Sequence, residues 1–129
     1  MYKNPWPKRV LLVDDSLVVR IATGNVFESA GFEICGEAED GAKGIEQAQK
    51  LKPDLIVLDL AMPVMDGLQA GRVLRHTMPG VPLILFTLYA TNQLKEQAFA
   101  AGMSVVSKQA GTDDLINTAY ALLNPDKKS

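Results

Sequence analysis

Three unbroken apolar runs stand out along the chain: VLLV at 10–13, LIVL at 55–58 and PLILF at 82–86. Apolar residues in continuous sequence, without alternation, are the pattern of strands buried on both faces, as in the middle of a parallel sheet. The stretch FEICGEA (32–38) alternates as a sheet-edge strand does, and SVVSK (104–108) is a short fifth run. Between these runs apolar residues recur at helical spacing: Ala42, Ile45, Ala48 and Leu51; Leu94, Ala98 and Ala101; Leu115, Ile116, Ala119, Leu122 and Leu123. Strand and helix thus alternate five times, the pattern of βαβ units, and the class is α/β with a parallel sheet.

The punctuation agrees with this parse. Gly31 and Gly102 follow helical segments as C-terminal caps, Pro53 stops another, and Thr112 with Asp113 and Asp114 makes a good helix start. Gly24 and Gly71 fall inside predicted helices, where each costs up to about 1 kcal/mol relative to Ala, and the sequence assigns them no role. Tails at 1–7 and 125–129 frame one domain at 8–124, without repeat or linker.

At 129 residues the chain holds one ordinary domain. Lys and Arg number 13 against 15 Asp and Glu, a net charge of −2, so no basic field recommends nucleic acid as a direct partner. The single cysteine, Cys35, has no internal disulfide partner and reads as a buried structural thiol. The amino terminus has no apolar signal region, and no run approaches the roughly 18 apolar residues of a membrane span. The expectation is a soluble cytoplasmic protein that does not engage a membrane.

Candidate chemistry sits where the runs end. VLLV is followed by Asp14 and Asp15, LIVL by Asp59, PLILF by Thr87, and the fifth run ends on Lys108. Adjacent acids there are either a polar strand ending or a site, because ligands of open α/β sheets bind at the carboxyl rim. A parallel sheet brings all five positions to that rim, and solvation alone explains such a cluster poorly. Three close carboxylates raise one another's pKa unless a cation joins them. Oxygen-only donors favour a hard ion such as Mg²⁺, which keeps waters and leaves room for a phosphate oxygen. Lys108 and Thr87 supply a charge and a hydroxyl for a phosphoryl group, and a carboxylate can itself accept one.

With VDDS, DLAMPVMDG, the Thr of LILFT and the Lys of VVSK in order, the chain resembles the receiver domain of two-component response regulators over about residues 8–124. The resemblance implies a flavodoxin-like (βα)5 three-layer sandwich with strand order 2-1-3-4-5. It implies that Asp59 accepts phosphate from a histidine kinase or phosphotransfer protein, and that Asp15, Asp59 and the Ala61 carbonyl bind Mg²⁺ directly, with Asp14 acting through water. Thr87 and Lys108 then bind the phosphoryl oxygens, Met62 and Pro63 shape the following loop, and Asp66-Gly67 turns into the third helix. The family's response is a movement of Thr87 and of an aromatic on the last strand, which alters the face of the fourth helix, fifth strand and fifth helix. Here Val105 stands at the aromatic's position, and Gln109 stands where many members have proline after the Lys, so no cis bond is expected there. Tyr89, two residues past Thr87, either screens the phosphoryl group and tunes its lifetime, replaces the missing aromatic, or is an exposed loop residue.

Other residues take plain readings. His76 is a solvated cation at a helix end, Trp6 packs on the sheet edge, and Met62, Met65, Met78 and Met103 fill gaps. The leading function is a phosphorylation-operated switch working on an effector domain or partner, with no turnover of external substrate. Homodimerisation through the last helix and strand is a candidate for its active state. A degenerate receiver used only for docking or dimerisation is the alternative. An aspartyl-phosphate hydrolase of the haloacid-dehalogenase kind needs a second acid where Ala61 stands. A nucleotide or flavin site needs a phosphate loop where DDS stands. The chain leaves no space for an effector domain, so it reads either as a stand-alone receiver or as the amino-terminal part of a longer regulator.

Overall fold

The structure, a computed structural model, describes residues 6–124; the rest of the two tails read from the sequence lies outside the described residues. Five strands and five helices alternate: β1 (Arg9–Val13), α1 (Leu17–Ser29), β2 (Glu33–Ala38), α2 (Gly41–Leu51), β3 (Leu55–Leu58), α3 (Gly67–Thr77), β4 (Leu83–Thr87), α4 (Asn92–Ala100), β5 (Ser104–Ser107) and α5 (Thr112–Leu123). The sheet has the order β2-β1-β3-β4-β5, and every pair is parallel. This is the order the resemblance implies.

The unbroken runs are inside because both faces of their strands are covered. Leu11, Val13, Ile56, Leu58, Leu83 and Leu85 pack toward α2, α3 and α4, among them Ala48, Leu74 and Ala98. Their neighbours Val10, Leu12, Leu55, Val57, Ile84 and Phe86 pack toward α1 and α5, against Phe27, Leu115 and Ala119. Successive strand side chains point to opposite faces, so a four-residue run fills two cores at once. On the α1/α5 side the Phe27 and Phe32 rings meet edge to face at 5.2 Å, and the Tyr120 hydroxyl donates to the Ala30 carbonyl at 2.7 Å, tying α5 to the end of α1.

Several sequence readings are corrected in detail. Cys35 is only half-buried, because β2 is the edge strand and the β1–β2 register slips between Val10 and Leu11, pairing Val10 with Ile34 and Leu11 with Gly36. Burial raises its thiol pKa, which favours the protonated form. Ala42 is exposed; α2 instead turns Gly41, Gly44 and Ala48 inward. The helix lies so near the sheet that a Cβ on Gly44 would sit 2.9 Å from Val13 Cγ1. Gly71, without a role in the sequence, makes room for the buried Met103, whose Sδ would be 2.2 Å from an added Cβ. Trp6 is 84% exposed, so most of its surface faces solvent and is not buried on the sheet edge as expected. His76 is exposed in the last turn of α3, as read.

Candidate functional site

Backbone pairing holds the acids at the rim. Asp14 N–H donates to Ala38 O at 3.0 Å and Asp59 N–H to Val13 O at 2.8 Å, so each residue prolongs the ladder one step beyond its strand. Val13 pairs with Leu58, which sets Asp14 and Asp59 side by side. Leu58 pairs with Leu85 and Thr87 with Ser107, so Thr87 reaches one residue farther out and Lys108 follows directly. Lys108 itself lies just past β5, where it opens a 3₁₀ turn, Lys108–Ala110.

The side chains converge. Lys108 Nζ donates to Asp14 Oδ2 at 2.7 Å and stands 3.5 Å from Asp59 Oδ1, with its side chain only 13% exposed. The ammonium also lies 5.8 Å from the centre of the Phe86 ring, within cation–π range. Asp14 Oδ1 accepts Ser16 N–H at 2.9 Å, Asp59 Oδ1 accepts Leu60 N–H at 2.8 Å, and the Ser16 hydroxyl caps α1 by accepting Val19 N–H. Carboxylate oxygens of Asp14, Asp15 and Asp59 lie within 4.8 Å of one another; Asp14 and Asp59 are buried and Asp15 is exposed.

Three carboxylates against one ammonium leave negative charge in a desolvated corner. Burial is the main cause that pushes the Asp59 carboxyl pKa up, and the charge of Asp14 adds to it; Lys108 and the Leu60 N–H pull the other way without cancelling the shift. An all-oxygen donor set with surplus negative charge fits a hard divalent cation such as Mg²⁺. Ala61 lies two residues past Asp59, and among the described residues its carbonyl accepts no hydrogen bond.

The loop after Asp59 is fixed at both ends. Asp66 caps α3 in a reciprocal box with Gln69, at 2.8 and 3.2 Å, and Gly67 N–H donates to Leu60 O. Gly67 is required there, since a Cβ would fall 2.0 Å from the Asp59 carbonyl oxygen. Between these ends Met65 N–H bonds back to Pro63 O around Val64, whose φ of 70° makes a strained turn at an 82% exposed β-branched residue.

Thr87 is fully buried, and its hydroxyl accepts Tyr89 N–H at 3.1 Å. The Tyr89 side chain is exposed, and Val105 is half-buried against the α2/α3/α4 core, below the rim. The sequence did not single out Arg20 and Phe86. Arg20 hydrogen-bonds the Asp14 carbonyl, and with Asp14, Asp59 and Phe86 it lines a cavity of about 10 Å³ under the acids. The hint available was the position of Arg20 one turn into the helix that starts after DDS.

Comparison with known proteins adds to this geometry. A family model described as the response regulator receiver domain matches residues 10–120. A putative transcriptional regulator of Pseudomonas aeruginosa is 35% identical over 116 residues, 89% of this chain and 56% of that protein. The transcriptional regulatory protein PdtaR of Mycobacterium tuberculosis is 34% identical over 111 residues, 85% of this chain and 54% of that one. This chain therefore spans about half the length of these relatives. The crystal structure of a LuxR-family two-component response regulator from Aurantimonas superposes with a TM-score of 0.88 at 27% identity, covering 93% of this chain and 87% of that one. Fold, rim chemistry and sequence agree, and the chain belongs to the response regulator receiver domain family.

Proposed function

We propose that this chain is a phosphorylation-operated switch in which Asp59 takes a phosphoryl group from a phosphohistidine on a sensor histidine kinase or a histidine phosphotransfer protein. An Asp59 carboxylate oxygen bonds to phosphorus while the P–N bond breaks, its electron pair leaving with the imidazole. Lys108 and the Thr87 hydroxyl neutralise and hold the phosphoryl oxygens. Asp14, Asp15, Asp59 and the Ala61 carbonyl would hold Mg²⁺, Asp14 through water; bound there, the ion supplies charge neutralisation for the transferred group. Attack of water on the same phosphorus returns the carboxylate and inorganic phosphate. The chemistry is confined to Asp59, with no external substrate turned over.

The observation that carries this reading is the convergence of three carboxylates and one ammonium at a single rim, with Lys108 Nζ 2.7 Å from Asp14 and 3.5 Å from Asp59. Leu17, Val18 and Ile21 on α1 and Leu88 and Tyr89 after Thr87 are exposed apolar residues in segments that begin at the rim, a surface suited to a docking phosphodonor. Intact mass after incubation with a small-molecule phosphodonor tests the chemistry. The expected result is one added phosphoryl group that requires Mg²⁺ and is absent from Asp59→Asn; an adduct that forms equally on Asp59→Asn contradicts it.

The output runs through Thr87. Its hydroxyl holds Tyr89 N–H in the state seen here, so turning toward a phosphoryl oxygen frees the start of the β4–α4 loop and shifts the α4–β5–α5 face toward an effector domain or partner. Tyr89 then shields the phosphoryl group from water. Tyr89→Ala is expected to speed dephosphorylation, and an unchanged rate removes that role. Val105 supplies no aromatic on β5, which favours the docking-module alternative; absence of any adduct despite Mg²⁺ binding would select it. No helix among the described residues is long and apolar enough to cross a membrane, and the proposed setting is the cytoplasm. Light scattering with and without a phosphoryl mimic tests a phosphorylation-dependent homodimer, which is excluded if both forms stay monomeric.

A further inference from the structure

Asp15 differs from its two neighbours in the cluster. Asp14 accepts Ser16 N–H and Lys108, and Asp59 accepts Leu60 N–H, but among the described residues no hydrogen bond reaches the Asp15 carboxylate. Its direction is therefore set by the backbone that carries it. The peptide joining Asp14 to Asp15 is held on its carbonyl side by Arg20, whose Nη1 donates to the Asp14 oxygen from the second turn of α1. Arg20 Nε in turn donates to Glu37 on β2 at 2.8 Å, and the Arg20 side chain is only 13% exposed. Taking a guanidinium out of water to grip one carbonyl is expensive unless its other donors are satisfied as well. Glu37 satisfies the Nε donor and balances the charge, and Ala38, the next residue, accepts Asp14 N–H. β2, α1 and the acid-bearing loop are thus tied through one side chain.

We propose that Arg20, oriented by Glu37, is a positioning residue for the divalent-cation site: it fixes the Asp14–Asp15 peptide and so aims the otherwise unrestrained Asp15 carboxylate at Asp14 and Asp59. This rests on the reading that Asp15 is one of the Mg²⁺ ligands. Arg20 touches neither the ion nor the phosphoryl group. Groups that only orient a metal ligand commonly change affinity by about 10- to 100-fold when removed. A role limited to tying α1 to β2 would instead change stability and leave affinity alone.

Calorimetric titration with Mg²⁺ of the wild-type chain and of Arg20→Gln, Arg20→Lys and Glu37→Gln separates these roles, with circular dichroism confirming the fold of each. Arg20→Gln is expected to weaken Mg²⁺ binding at least about tenfold. Arg20→Lys keeps the charge but not the two-pronged reach and falls between that variant and wild type. Mass-detected phosphorylation of Arg20→Gln should need correspondingly more Mg²⁺ for half-maximal rate while the rate at saturating Mg²⁺ is retained. If Arg20→Gln does not fold, a loss of affinity in folded Arg20→Lys and Glu37→Gln supports the proposal. Folded variants that bind Mg²⁺ within about twofold of wild type overturn it while leaving the metal site intact. A wild-type chain that binds no Mg²⁺ overturns the metal-site reading itself, and the proposal with it.

Discussion

Asp59 is held in a conflict that its surroundings do not resolve. Burial and the neighbouring Asp14 raise its pKa despite Lys108. A carboxyl whose folded pKa lies above the unfolded value of about 3.9 favours folding only when protonated, so its contribution is present at low pH and is lost as pH rises through the folded pKa. The ionised group at neutral pH thus costs stability. Asp59→Asn is expected to raise the urea midpoint at pH 7 in the absence of Mg²⁺, with the gap to wild type closing as pH falls toward about 4. Added Mg²⁺ should stabilise wild type more than the variant. A less stable Asp59→Asn at pH 7 would show that Lys108 already compensates the charge. Val64 carries a second local cost, a β-branched residue at positive φ. It is exposed, so nothing packed is lost on substitution, and Val64→Asn is expected to stabilise by about 1 kcal/mol in urea titrations. The sequence announces the acids, because the Asp14-Asp15 pair and Asp59 each directly follow an apolar run. It does not announce the pairing of Lys108 with Asp14 across 94 positions, nor the turn at Val64. Such contacts come from the folded register, which periodicity does not encode.

At the scale of elements, the central strands are legible because their burial on both faces leaves no alternation to misread: β3 is 55–58 in sequence and structure alike. The helices are harder where glycine stands in for an apolar residue. In α2 the stripe includes Ala42 by its spacing, yet Gly41 and Gly44 face the sheet, because close approach of helix to strand selects for the absence of a side chain. Glycines inside helices consequently fall into two kinds that substitution separates. At Gly44 a methyl group meets Val13 at 2.9 Å, and Gly44→Ala is expected to destabilise by about 1–3 kcal/mol. At Gly24 the nearest atoms, of Ile34 and Leu12, lie at 3.7 Å, an ordinary contact, and Gly24→Ala should stabilise by up to about 1 kcal/mol. Thermal unfolding of the two variants reads both signs; the same sign in both would contradict this account of helix–sheet spacing. The edge strand β2 was legible as an edge from its alternation, but not the register slip at Val10 that leaves Cys35 half-buried.

For the whole molecule, the parallel sheet does the assembling. Its strands deliver Asp14, Asp59, Thr87 and Lys108 to one end from segments spread over most of the chain, and the two apolar faces lock that end in place. The strand order itself came from family resemblance, because apolar runs carry no label of their neighbours. In the proposed switch, a change at the rim passes inward from Thr87, whose hydroxyl holds Tyr89 N–H, into the β4–α4 loop and α4. The measurement that tests the switch most directly is an amide NMR spectrum of the chain with Mg²⁺, before and after addition of beryllofluoride as a phosphoryl mimic. The account predicts shifts at Asp59, Thr87, Tyr89 and Lys108 that continue into α4 and to Val105 on β5. A spectrum unchanged from that with Mg²⁺ alone, or shifts that stop at the rim, would contradict it.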